Sequence, residues 1–306
     1  MNMRMAFADT MVEIGTIDPK LVVLVGDISH GILQPFAQSC PGRYYNIGIL
    51  ENTIVSMSAG LSRSGLCPVA HTIAPFLIER SFEQIKLEYG YQEIGGNLIT
   101  VGSAFDYSGL GCSHHCYNDI NLMKSLPGSQ VLYPAMPNEF NILFKQTYNN
   151  NQLTYFRLPG DMHEISISDS KIVLGKGIRI IEGDDASILV IGPQLKVAME
   201  ASRELSIRGI NIDLLYYPTI KPFDEDLLKT SIKKTKRILI IEEHSVYGGV
   251  NEDVLRTCCN RGDIKYDFIN IPDVFLRNYG NYHEHCEFLG FTKENIVNKI
   301  LNIIQL

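Results

Sequence analysis

The stretch Gly111–Tyr117, GCSHHCY, sets two cysteines and two adjacent histidines between Cys112 and Cys116. Thiolate and imidazole are zinc ligands, and imidazole is also the side chain that moves protons near neutral pH. Closed zinc sites usually space paired ligands in a C-x₂-C manner. Here the histidines are adjacent, and adjacent side chains point in different directions. A second cluster, YHEHC, with His283, His285 and Cys286, could complete a site but has no C-x₂-C pair either. The other reading is a loop, bent at Gly109 and Gly111, that turns one histidine toward a ligand.

Three more residues carry chemistry. Glu51, in GILENTIVSMSAG, sits at the expected start of a helix, where a carboxylate suits the positive end of the helix dipole. Its neighbours are small or apolar. A carboxyl so desolvated suits general acid–base work, because burial disfavours its charged form. Phe76, in IAPFLIER, falls at a strand-to-helix turn, where a ring packs in the core or stacks on a flat ligand. Arg157, near the end of TYFRL, can grip a phosphate or carboxylate with two parallel N–H groups, or form a surface ion pair.

The elements that must position these residues alternate. Short apolar runs at 21–27, 67–72, 97–103, 130–135 and 153–158 read as strands; stretches at 51–65, 76–91, 118–128 and 138–150 have helical spacing. A polar segment at 159–171 reads as a linker. Strands then recur at 186–192, 210–217, 237–244 and 266–271, with helices at 195–209, after Gly249 and at 293–304. Strands separated by helices imply parallel sheets covered on both faces. The expected architecture is two open α/β domains, roughly residues 1–165 and 172–306. Ligands of such sheets bind beyond the carboxyl ends of the strands.

Composition narrows the class. A chain of 306 residues is long for one core. A net charge of −7 argues against a nucleic-acid partner, since phosphate contacts need a basic surface. No apolar run approaches the roughly 20 residues that span a bilayer, and no basic stretch precedes an apolar one at the N-terminus. The seven cysteines are unevenly spaced, which suits free thiols and a cytoplasmic protein.

Taken in order, LVVLVGD, GILENTIVSMSAGLSRSG, RSFEQIK, SHHCYNDINLMKSLPG and YFRLPG resemble the pyrimidine-binding domain of transketolase. GKGIRI, LLYYPTIKPFD, IEEHSVYGGVNEDV and LGFTKENIV resemble its C-terminal domain. The whole chain is similar to the C-terminal section of transketolase, which some organisms encode as a separate subunit. That resemblance implies a thiamine-diphosphate enzyme transferring a ketol unit between phosphorylated sugars. Glu51 falls on the glutamate that shares a proton with the coenzyme's aminopyrimidine. Phe76 falls near the ring that stacks on it, with Ile49 beside the coenzyme. His114 falls on a substrate-contacting, catalytic histidine, so GCSHHCY is read as a substrate loop. Arg157 falls on an arginine that holds the sugar phosphate, and Asp27 is a further substrate contact.

The match also departs from the family. An acidic, glycine-rich run before the histidine is replaced by Ser108-Gly109-Leu110-Gly111, and an upstream histidine is missing from GSAFDYS. The sugar is therefore expected to differ from the usual pentose phosphate. Thiamine enzymes hold diphosphate and metal through G-D-G followed by N, and no Gly-Asp pair here is followed by Gly. The chain itself is expected to bind no metal. A separate subunit, similar to the transketolase N-terminal section, is expected to hold the diphosphate with Mg²⁺ or Ca²⁺. The two would form a heterotetramer with coenzymes between unlike subunits. Three rivals remain: the β subunit of a 2-oxo acid dehydrogenase, a deoxyxylulose-phosphate-synthase-like carboligase, and a non-catalytic assembly partner.

Overall fold

A computed structural model describes residues 2–305. The first half runs α1 (Met3–Ile17), β1 (Leu21–Val25), α2 (Gln34–Ser39), β2 (Tyr44–Asn46), α3 (Glu51–Arg63) and β3 (Cys67–Ile73). A π-helical stretch (Pro75–Glu79), α4 (Phe82–Gln84) and a second π-helical stretch (Ile85–Gly90) follow. Then come β4 (Gly96–Val101), α5 (Asp119–Ser125), β5 (Gln130–Leu132), α6 (Pro137–Thr147) and β6 (Leu153–Leu158). The second half runs β7 (Ile178–Ile181), β8 (Ala186–Val190), α7 (Leu195–Ile207), β9 (Ile212–Tyr216), β10 (Thr219–Lys221), α8 (Glu225–Thr235), β11 (Arg237–Ser245), α9 (Val250–Cys258), β12 (Lys265–Ile271), α10 (Tyr282–Leu289) and α11 (Lys293–Gln305).

The strands form two sheets, ordered β10-β5-β6-β4-β3-β1-β2 and β12-β11-β8-β9-β7. All pairings are parallel except β10 with β5 and β7 with β9. β1, β4 and β6 are buried along their whole length because helices cover both faces, which is why they read as unbroken apolar runs. One core packs α1 and α6 against one face of the first sheet and continues to α7 and α11 on the second. A second core packs α3, the π-helical stretches and α5 on the opposite face and continues to α8 and α9.

The sequence reading lacks α1, α2, α8 and α10 and the short strands β2, β7 and β10, and it differs in other respects as well. The run 76–91 is no single α-helix: it is π-helical at both ends, with Arg80 N–H donating to the Pro75 carbonyl five residues back. The N-terminal helix α1 is long and capped by Asn2, whose side chain accepts from Met5 N–H at 2.9 Å. β10 comes from the second half yet forms an edge strand of the first sheet, so the two halves share a sheet. Their junction is tied further by Lys124 of α5, which donates to the Gly249 carbonyl at 2.6 Å and pairs with Asp253.

Strand order reverses between β1 and β3, since β2 lies on one side of β1 and β3 on the other. Such a switch point opens a crevice beyond the carboxyl ends of the strands. The segments that emerge there are 26–30, 47–51, 74–80 and 102–116.

Candidate active site

Glu51 is the first residue of α3, and the Leu50 residue before it supplies no side-chain cap. Glu51 therefore sits in the first turn, at the positive end of the helix dipole. The residue is only 2 % exposed, and Oε2 accepts a hydrogen bond from Arg80 Nη1 at 2.9 Å. Arg80 leaves the π-helical turn on the crevice side with its side chain 47 % exposed. Its guanidinium carbon lies 4.4 Å from the centroid of the Phe76 ring. Phe76 is half-buried and meets the edge of His114, ring centroids 5.2 Å apart. His114 in turn meets Tyr107 at 6.4 Å. Glu51, Arg80, Phe76, His114 and Tyr107 thus form one continuous rim. π-helical turns are rare and concentrate at functional sites, and this one sets both Phe76 and Arg80.

The loop that carries the histidines is closed at its base by a pair of bonds between Ala104 and Cys116. Gly111 turns it at φ +74, where a Cβ would meet the Tyr279 ring at 2.7 Å. The adjacent histidines diverge. His114 stays half-buried on the rim, its Nδ1 3.0 Å from the Ser113 hydroxyl. His115 turns inward, 5 % exposed, with Nδ1 2.6 Å from the Tyr117 hydroxyl. Burial, with help from His285 and His114, pushes its pKa down to about 4. The two His/Cys clusters do meet, since His115 and His285 lie 5.6 Å apart edge to face. Among the described residues, however, no group of three or more His, Cys, Asp or Glu side chains is arranged to hold a metal.

Asp27 follows β1 in a left-handed conformation, φ +65, exposed at the crevice, its carboxylate accepting from Asn46 Nδ2 at 3.3 Å. Ile49 and Leu50 are 68 % and 57 % exposed beside Glu51, an apolar lip over a charged site. Arg157 corrects the sequence reading. It has no exposed surface, its Nε is 3.2 Å from Asp119 Oδ2, and its Nη2 donates to the Glu243 carbonyl at 2.9 Å. The Tyr133 ring covers it at 4.5 Å. The guanidinium is thus closed off from solvent in this structure, with Nη1 left without a hydrogen-bond partner.

A chain of polar residues missed in the sequence lies beside Asp27. Arg4 of α1 donates to Ser29 Oγ at 3.2 Å, and Ser29 lies 2.8 Å from His71 Nε2. His71 Nδ1 lies 2.9 Å from the Ile99 carbonyl, which can only accept, so Nδ1 carries the proton and Nε2 accepts from Ser29. Burial pushes the His71 pKa down to about 4, which fits this neutral ring. Arg4 keeps part of its side chain exposed. The only hint in the sequence is a cation on an otherwise apolar helix face.

Fold and rim define an α/β protein with a buried carboxylate beside a half-buried aromatic ring at a sheet switch point. Residues 1–162 match the model of the transketolase pyrimidine-binding domain, and residues 175–296 that of the transketolase C-terminal domain. The chain belongs to the transketolase family of thiamine-diphosphate enzymes. It is 29 % identical over 307 residues to an apulose-4-phosphate transketolase subunit of Phocaeicola vulgatus, covering 99 % of this chain and 97 % of the relative. It is 28 % identical to a 6-deoxy-6-sulfo-D-fructose transketolase subunit of Clostridium sp. strain MSTE9, covering 89 % and 85 %. It superposes on a solved split-gene transketolase, described as an inactive beta4 tetramer, with TM-score 0.91, 29 % identity and coverage of 100 % and 99 %. Among the described residues no helix is long and apolar enough to cross a membrane.

Proposed function

We propose that this chain is the glutamate-bearing subunit of a two-component transketolase that moves a ketol unit between anionic sugars. One observation carries the reading. A carboxylate that is 2 % exposed opens onto a crevice at the sheet switch point, beside the half-buried ring of Phe76. The residues fit an aminopyrimidine: the slot between Glu51 and Phe76 already holds a flat N–H-bearing cation, the Arg80 guanidinium. Glu51 would hold the proton at the ring nitrogen N1′. Phe76 would stack on the ring, and Ile49 would close the lip over it. The coenzyme, when bound, supplies the nucleophilic carbon and the electron sink.

His114, which meets Phe76 on the same rim, would bond a sugar hydroxyl or carry its proton, with Asp27 as a second polar contact. With Arg157 enclosed, Arg4 is the cation left at the β1 end to meet an anionic group of the sugar. The relatives' named substrates, apulose-4-phosphate and 6-deoxy-6-sulfo-D-fructose, both carry an anion and support that class. The diphosphate and its Mg²⁺ or Ca²⁺ would sit on a separate subunit, for which this chain has no G-D-G motif. Association of unlike subunits into a heterotetramer would complete the site. The exposed Ile49 and Leu50 beside Glu51 fit a surface that a partner covers.

The test mixes the purified chain with the diphosphate-binding subunit, thiamine diphosphate and a panel of anionic ketoses. Ketol transfer is expected only from the mixture. Glu51→Gln should lose a hundredfold or more in turnover, the size of a positioned proton transfer, while the assembly persists on gel filtration. Turnover by the chain alone, or wild-type rates in Glu51→Gln, would overturn the reading. Release of CO₂ from a 2-oxo acid in place of ketol transfer would move the chain to the dehydrogenase branch.

A further inference from the structure

Arg80 makes both contacts that an aminopyrimidine needs here. Its guanidinium is flat, it donates N–H to Glu51 Oε2 at 2.9 Å, and it lies over the Phe76 ring at 4.4 Å. A ring held between the same carboxylate and the same aromatic face would occupy the same slot. The slot takes one flat group at a time. We infer that Arg80 is a built-in placeholder: it fills the aminopyrimidine's position in the coenzyme-free chain and swings out when the coenzyme enters.

The placeholder answers a physical problem of the free subunit. Glu51 is 2 % exposed, and while the slot is empty its carboxylate would have only the water that enters the slot as a partner. Arg80 supplies the partner from a flexible side chain that is 47 % exposed, so it can leave for water without breaking the fold. Its backbone is held separately by the five-residue bond to Pro75, which leaves the side chain free to move. Arg80 is thus a positioning residue: it keeps the Glu51 carboxylate aimed into the slot and yields it to the ring. A half-exposed ion pair and one cation–π contact are both weak, so displacement needs only a modest share of the coenzyme's affinity.

The inference rests on the proposed function and is tested on the reconstituted two-subunit protein. Calorimetry measures thiamine diphosphate binding to wild type, Arg80→Met and Arg80→Lys, each checked for folding by circular dichroism. Arg80→Met keeps an apolar stem on Phe76 but cannot donate to Glu51, so coenzyme should bind about tenfold tighter. Arg80→Lys keeps the charge without the flat face and should fall between. In wild type, the ¹⁵N signals of the Arg80 guanidinium should shift to solvent-exposed values on saturation with coenzyme. Equal or weaker coenzyme binding by Arg80→Met, or a guanidinium signal unmoved by coenzyme, would overturn the placeholder while leaving the proposed function standing. No coenzyme binding in any of the three proteins would overturn the proposed function and take the placeholder with it.

Discussion

Two arginine–carboxylate pairs in this chain share the same chemistry and differ in where the arginine ends. At the crevice, Glu51 is buried and Arg80 reaches it from water at 2.9 Å. At the junction of the two halves, Arg157 and Asp119 are both fully buried, 3.2 Å apart. Each arginine also covers an aromatic ring, Phe76 at 4.4 Å and Tyr133 at 4.5 Å. The enclosed pair has further internal partners: Tyr155 donates to Asp119 Oδ2 at 2.6 Å, and the Glu243 carbonyl accepts from Arg157. Nothing from outside can replace any of them. The open pair has one side that a ligand can take over. A buried carboxylate facing a half-exposed cation is open to exchange; the same carboxylate facing an enclosed cation is a tie between elements.

The contrast breaks most visibly at Arg157. Arg157→Met removes the guanidinium and leaves Asp119 charged in the interior. Losing one partner of a buried pair costs about 3–5 kcal/mol. The urea unfolding midpoint should fall accordingly, and the double variant Arg157→Met with Asp119→Asn should recover part of the loss. A loss below about 1 kcal/mol in the single variant would mean that water reaches this pair, and Arg157 would return as a candidate for sugar phosphate.

Much of this site was legible in the sequence. The central strands β1, β4 and β6 read clearly because burial on both faces makes them continuous apolar runs; the short edge strands β2, β7 and β10 do not, because three or four partly exposed residues give no pattern. Glu51 stood out because a carboxylate opens an otherwise apolar helix. Other features depended on contacts that no local pattern records. A strand-terminal arginine is equally suited to a phosphate or to an internal acid. Only the docking of α5 across β6 brings Asp119 onto Arg157 and decides between them. The π-helical turns leave no mark in the sequence because each stretch spans only five or six residues, too few to set an apolar period of its own. Arg4, Ser29 and His71 come from three separate elements, so their spacing along the chain carried no signal.

That last chain of residues is an intermediate case: Arg4 is part-exposed at one end and His71 fully buried at the other. The folded pKa of His71, lowered by burial to about 4, lies below its ordinary value of 6.5. Below pH 6.5 the unfolded chain binds a proton here that the folded chain refuses. Stability is therefore lost as pH falls toward 4. The slope is about 1.4 kcal/mol per pH unit, so the loss between pH 6.5 and 5 is at most about 2 kcal/mol. Asp106, pushed up to about 8 by burial and Glu243, acts with the opposite sign, losing stability as pH rises. Comparison with His71→Gln isolates the histidine. The stability advantage of wild type over that variant should shrink by up to about 2 kcal/mol on going from pH 6.5 to 5. A constant difference would show that His71 accepts a proton in the folded state, and the Arg4–Ser29–His71 chain would then belong with the open pair.

The smallest effect is the sharpest test of the contrast. Arg80→Met should lower the stability of the free chain by about 1 kcal/mol or less, because the arginine is half-exposed and its ion pair is screened by water. Glu51 itself is buried, so a simple count of buried charges would predict a loss like that of Arg157→Met. The two expectations part over what fills the vacated slot. Beside Glu51 the slot opens to solvent, and water can bond the freed carboxylate oxygen. Around Arg157 there is no such opening. Urea melts of the two variants under one buffer settle the matter. A loss for Arg80→Met that reaches the 3–5 kcal/mol range of a buried pair would show that Arg80 builds the fold, and the crevice pair would lose its claim to be exchangeable.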